Sequence, residues 1–268
     1  MWIFQAVCDD GTNRGVGGAV MPPKTASKYI EEIRELYPAT TEAEQATLNR
    51  RASSFVNLLD ITIFTAQNEQ KPWTQEELGY QIRPMLLKKD CGIQQVGDYQ
   101  AYYSGPGIAG WVGLLVERKG GEKGCEDLYG TLMNAKKCAR FYREIDRYND
   151  DPRFSQMVVI AECTFEQFLL YRPPFIGKKR NTKHIGASVA ARRGKIASLH
   201  ARGVPVVFCG TRKNAIEMYK VLVRQWLIKN YVTVLGLGKK PFDDEEFLKN
   251  RLARLEVEME ATRSALNV

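Results

Sequence analysis

Apolar positions along the chain switch between helical and strand spacing, and this switching marks out the elements. Trp2 to Val7 is a short apolar run and predicts a strand. Thr25 to Leu36 puts Tyr29, Ile30, Ile33 and Leu36 on one helical face and stops before Pro38. Thr41 to Leu59 predicts a second helix, with Glu44 three residues after a capping Thr41. Asp60 to Thr65 is a strand by its β-branched content. Gln75 to Lys88 predicts a helix that Pro84 should kink or end. Gly92 to Tyr103 and Gly110 to Lys119 predict a hairpin turning at residues 105–107. The second of these strands is apolar on both faces until its end, as a central strand is.

Glu126 to Asn149 reads as one long helix and Gln156 to Ala161 as a buried strand. A short helix follows to Tyr171, capped by Thr164, then a Pro-rich basic loop over 172–184. His184 to Arg202 predicts a helix, Val204 to Cys209 a strand, and Thr211 to Lys229 a helix capped by Thr211. The order predicts an α/β domain with a mixed central sheet flanked by helices. Residues 1–58 form an N-terminal extension, 59–235 the main domain, and 236–268 a C-terminal segment. In that segment Asp243 to Asn267 predicts a helix with Leu248, Leu252, Leu255 and Met259 mostly at a or d positions. It fits a short coiled coil or a docked terminal helix equally well.

Two broad classes are excluded. An apolar share of 44% in 268 residues can bury a full core, against global disorder. No apolar run reaches the roughly 18 residues that a membrane helix needs. The opening residues lack a basic leader and meet Asp9 and Asp10 at once, so no secretory signal is expected. The six cysteines contain no CxxC pair, which argues against structural zinc. Cys8, Cys163 and Cys209 read as small core residues, and the usage suits a reducing, intracellular compartment: cytoplasm, nucleoid or nucleus. With only His184 and His200 present, chemistry falls to carboxylates, lysines and any metal they hold. The Gly11 to Gly18 loop invites a phosphate-binding reading, but it lacks Rossmann spacing and Gly-Lys-Ser/Thr. A plain turn is the better reading; a nucleotide-binding protein stays as an alternative.

Glu117 and Lys119 are two apart at a strand end and point to one face. Asp98 can reach that face from the neighbouring strand. Two carboxylates with a lysine beside them suit a hard divalent cation such as Mg²⁺ or Mn²⁺. Such a site activates water and stabilises a phosphoryl transition state, with Lys119 orienting the water or neutralising charge. A strand end simply reaching solvent is the competing reading.

Gly97-Asp98-Tyr99, Val116-Glu117-Arg118-Lys119 and Asp127-Leu128 together resemble the XPF-type nuclease domain of the PD-(D/E)XK superfamily, in its bacterial or phage-like form. Phe141 to Glu144, Met157 to Glu162, Gly203 to Phe208 and Glu69 to Trp73 extend the resemblance over roughly 60–230. It implies a restriction-endonuclease-like core, with Asp98 and Glu117 as metal ligands and Lys119 as the catalytic lysine. It also implies that Arg118 supports the site, Asp127 is a supporting acid, and Glu69 is an extra carboxylate. The substrate implied is branched or single-strand/double-strand junction DNA, and the assembly a homodimer. The pattern departs at Ala66 and Asn68, where the family has an Asp and an Arg. It departs again in a seven-residue spacer before Asp127, which leaves Glu122 or Glu126 as near neighbours. A weakly active or inactive DNA-binding member is therefore the alternative.

The net charge of +8 is uneven. Residues 178–230 carry 13 cations against Glu217, a net +12, leaving −4 for the rest. Lys178, Lys179, Arg180 and Lys183 in the loop, then Arg192, Arg193 and Lys195 on the helix, predict a stripe along a DNA backbone.

Overall fold

The computed structural model describes residues 26–39, 41–67, 69, 71–85, 97–105, 108–120, 125–151, 153–173 and 187–237. The predicted strand Trp2–Val7, the Gly11–Gly18 loop, Asn68, Glu122 and the Asp243–Asn267 helix lie outside the described residues. So do the turn at 106–107 and the basic loop cations Lys178, Lys179, Arg180 and Lys183.

The fold is mixed α/β. Six strands form one sheet: β1 (Asp60–Thr65), β2 (Gln81–Pro84), β3 (Tyr99–Gly105), β4 (Ile108–Lys119), β5 (Gln156–Ala161) and β6 (Val206–Phe208). Their spatial order is β2-β1-β3-β4-β5-β6. β4 pairs antiparallel with β3 and parallel with β5, so the strand that is apolar on both faces is indeed central.

Alternation along these strands divides the core in two. Val112, Leu114 and Val116 of β4, with Val158 and Ile160 of β5, pack under α1 (Ala26–Leu36), α2 (Glu42–Val56), α8 (Arg212–Lys229) and α9 (Tyr231–Val234). Leu115 of β4, with Met157, Val159 and Ala161 of β5, packs under α4 (Glu126–Met133), α5 (Ala135–Asn149), α6 (Phe165–Leu170) and α7 (Val189–Ala201). Each fully buried Val, Leu or Ile here stabilises the fold by about 1.5–3 kcal/mol relative to exposure.

The caps behave as their chemistry dictates. Thr41 Oγ1 accepts the Glu44 N–H at 3.2 Å and Glu44 Oε2 accepts the Thr41 N–H at 3.1 Å, closing the capping box of α2. Thr164 and Thr211 accept from Gln167 and Asn214 in the same way.

Two of the expected helices are each divided into two elements in the structure. The helix after Thr74 is only α3 (Gln75–Leu78), because Gly79 at φ +70° ends it in a left-handed cap. After Tyr80, Gln81–Pro84 form β2, a sheet-edge strand that tolerates Pro84. The expected single helix over 126–149 is two. Asn134 is extended, and its side chain accepts the Lys137 N–H at 3.1 Å to start α5 afresh.

Candidate active site at the ends of the central strands

Gly97 and Asp98 enter β3 through a conformation that only glycine adopts comfortably. Gly97 has φ +71°, and a Cβ there would lie 2.6 Å from Leu115 Cδ1. The chain then locks in place: the Asp98 N–H donates to Val116 O at 3.0 Å, and Asp98 O accepts the Ala66 N–H at 2.9 Å. Asp98 Oδ2 accepts the backbone N–H of Arg118 at 2.8 Å, which fixes the carboxylate against the end of β4.

On β4, Glu117 and Lys119 follow Leu115 onto the α4–α7 face. Both are nearly buried, at 7% exposure. Lys119 Nζ donates to Glu117 Oε1 at 2.6 Å, lies 3.8 Å from Asp127 Oδ2, and sits 5.4 Å from the centre of the Phe141 ring. The structure thus brings Asp98, Glu117, Lys119 and Asp127 together. Asp127 lies in the first turn of α4 and is exposed despite the long spacer.

The charges do not balance evenly. Burial first, and the Glu117 carboxylate second, push Asp98 well above the carboxylate range, with Lys119 only partly opposing them. Burial disfavours the charged form of Lys119, but Glu117, Asp127 and Asp98 outweigh it and hold the lysine pKa above its ordinary value. Lys119 is a fixed cation, not a base. Burial also raises Glu144 of α5, and Glu117 adds to the shift.

Arg118 points the other way. Its Nε and Nη2 fork onto Glu162 at 2.7 and 3.0 Å, and Nη1 donates to Glu69 Oε1 and to Lys71 O, both at 2.8 Å. Trp73 Nε1 donates to Glu162 Oε1 at 3.1 Å, its N–H donates to Tyr99 OH at 2.8 Å, and its ring stacks on Tyr99 at 4.3 Å. Gly120 leaves room for this pair, since a Cβ there would lie 2.5 Å from Glu162 Oε2. Glu69 pairs with Arg118, and its carboxylate also adds to the upward push on Asp98. Glu162 was not singled out from sequence as a site residue. The available signal was an acid closing an apolar strand, as Glu117 does.

The donor set fits a hard cation. Asp98 and Glu117 are crowded carboxylates on one face, and the ammonium of Lys119 already stands where positive charge is favoured. Among the described residues no group of three or more His, Cys, Asp or Glu side chains gathers as a cage. A cation held here would rest on two carboxylates and complete its shell with water, as Mg²⁺ does.

The expected basic stripe on α7 needs correction. Arg192 is buried, at 5% exposure; its Nη1 donates to Phe168 O at 3.0 Å and also to Leu169 O, and its guanidinium lies 4.9 Å from the Tyr129 ring centre. It anchors α6 to α7 and does not face a phosphate. Lys195 leans across α5, with Nζ 3.4 Å from Cys138 Sγ and 5.6 Å from the Tyr142 ring centre. Arg193 is exposed.

No protein-family model matches the chain, and no curated protein matches it. Among solved structures, XPF from Aeropyrum pernix is similar over 63% of this chain and 65% of its own, just under two thirds. The sequence identity is 15% and the TM-score 0.35. A likeness this distant adds no argument about activity, which rests on the residues themselves. Among the described residues no helix is long and apolar enough to cross a membrane.

Proposed function

We propose that this protein is a metal-dependent endonuclease that hydrolyses phosphodiester bonds in DNA, at branched or single-strand/double-strand junctions. The observation that carries this reading is the meeting of Asp98, Glu117 and Lys119 on one face at the end of the central strands. Asp98 and Glu117 hold Mg²⁺ or Mn²⁺. When bound, the metal supplies Lewis acidity at the phosphoryl group. Lys119 stays protonated and neutralises charge that builds on the phosphate oxygens. Asp127 orients Lys119 from the solvent side, and Phe141 limits water beneath it. Arg118 acts through its amide, which fixes Asp98. Junction specificity, and assembly as a homodimer, rest on the sequence resemblance.

A weakly active or inactive DNA-binding protein is the second reading. Ala66 favours it, being buried where the resembled pattern carries an acid. So does the tight Lys119–Glu117 pair, which a metal must loosen. Forked DNA incubated with Mg²⁺, Mn²⁺ or a chelator separates the two. Product in the metal lanes alone supports the nuclease. Retained binding with no product in any lane assigns the second reading.

A further inference from the structure

Three aromatic side chains share the sheet face that carries the candidate site. Phe64 of β1 is in register with Gln100 of β3, and Tyr102 of β3 with Trp111 of β4. Paired residues project to one face, and Asp98, Gln100 and Tyr102 follow each other at strand period along it. Tyr99, Ala101 and Tyr103 enter the opposite core. The ring centres of Phe64 and Trp111 are 5.0 Å apart, and those of Tyr102 and Trp111 are 5.3 Å apart. All three side chains are half-buried and belong to neither core among the described residues. Arg83 of β2 is in register with Phe64 and is exposed on the same face. Four residues of strand place Tyr102 about 14 Å from Asp98.

We propose that Phe64, Tyr102 and Trp111, with Arg83 at their edge, form a shelf that stacks unpaired bases of single-stranded DNA leading from the scissile phosphate. The proposal deepens the nuclease reading and rests on it. Aromatic rings accept the faces of any base, and an adjacent cation meets the phosphates between them. An apolar protein partner would cover the rings but leave Arg83 without a complement. A duplex keeps its bases inside the stack, so the shelf selects single-stranded arms, a few nucleotides from the cut.

Fluorescence anisotropy in chelator, with the full chain, tests this using labelled oligothymidine and a blunt duplex. Tyr102→Ala and Trp111→Ala should each weaken oligothymidine binding about 5- to 100-fold and change duplex binding less than about two-fold. Trp111→Phe, which keeps a ring, should retain most of the affinity. Unchanged oligothymidine affinity in both alanine variants, with native circular dichroism, would overturn the shelf. So would a loss of affinity matched by a halved molar mass in light scattering, which would assign the rings to a second copy of the chain. Cleavage abolished by Lys119→Ala while the shelf variants bind normally would overturn the shelf alone. Shelf-dependent binding without metal-dependent cleavage would overturn the nuclease reading alone.

Discussion

The backbone amide of Arg118 donates to Asp98 Oδ2 at 2.8 Å, while the Arg118 side chain forks onto Glu162 on the far side of the strand. One residue thus joins the candidate metal face to a buried ion cluster behind it. Side-chain exposure of the pair is 5% on each partner, so removing one leaves an uncompensated buried charge. Arg118→Met should cost about 3–5 kcal/mol in urea unfolding. Arg118→Lys should recover only part of this, because an ammonium cannot make the two-pronged contact.

Gly97 and Gly79 separate backbone strain from crowding. Both have positive φ, but only Gly97 would drive a Cβ into Leu115; nothing lies within 4 Å of one at Gly79. Gly79→Ala should cost about 1 kcal/mol, from conformation alone. Gly97→Ala should cost about 2–4 kcal/mol by the same unfolding measurement, and should also reduce cleavage, because Asp98 moves with it.

Asp98 should make stability, and metal binding at the proposed site, respond to pH. Its folded pKa lies above its ordinary value of 3.8, so the folded chain holds a proton that the unfolded chain has released. Metal-free stability therefore falls as pH rises through that window. Asp98→Asn should raise the Tm of the metal-free protein at neutral pH by a few degrees, about 2–4 °C per kcal/mol. Mn²⁺ should stabilise the wild type increasingly as pH rises, since binding releases the Asp98 proton, and should not stabilise the Asn variant. Scanning calorimetry with and without Mn²⁺ reads both effects.

Glu77 responds in the opposite direction. The Arg212 guanidinium, with both Glu77 oxygens at 2.8 Å, holds its pKa down at about 2 from 4.5. The pair's contribution is present above the unfolded value and is lost as pH falls from 4.5 toward 2. At about one third exposure, solvent screening reduces it to on the order of 1 kcal/mol. Glu77→Gln should lower stability at pH 7 and flatten its loss in acid.

Much of this architecture is written locally in the chain. The β4 run, apolar on both faces, announces a central strand, and the Glu117–Lys119 spacing announces their common side. Caps at Thr41, Thr164 and Thr211 are equally local. What escapes is what depends on partners distant in sequence or on which face of a helix turns inward. Asn134 is a residue type that caps helices well, but the apolar period runs on past it and hides the break. Glu162 meets Arg118 across 44 residues, a pairing that spacing cannot reveal. Arg192 and Arg193 are neighbours of the same charge, yet one is enclosed by the carbonyls of α6 and the other faces water. A count of cations along α7 cannot distinguish them.

The central claim is that Asp98, Glu117 and Lys119 form a phosphodiester-cleaving site. Wild type and Lys119→Ala, assayed side by side on forked DNA with Mg²⁺, test it most directly. Wild type should cut, and the variant should cut at least about 100-fold more slowly while binding the fork with nearly unchanged affinity. Equal cleavage by the two proteins would contradict the account.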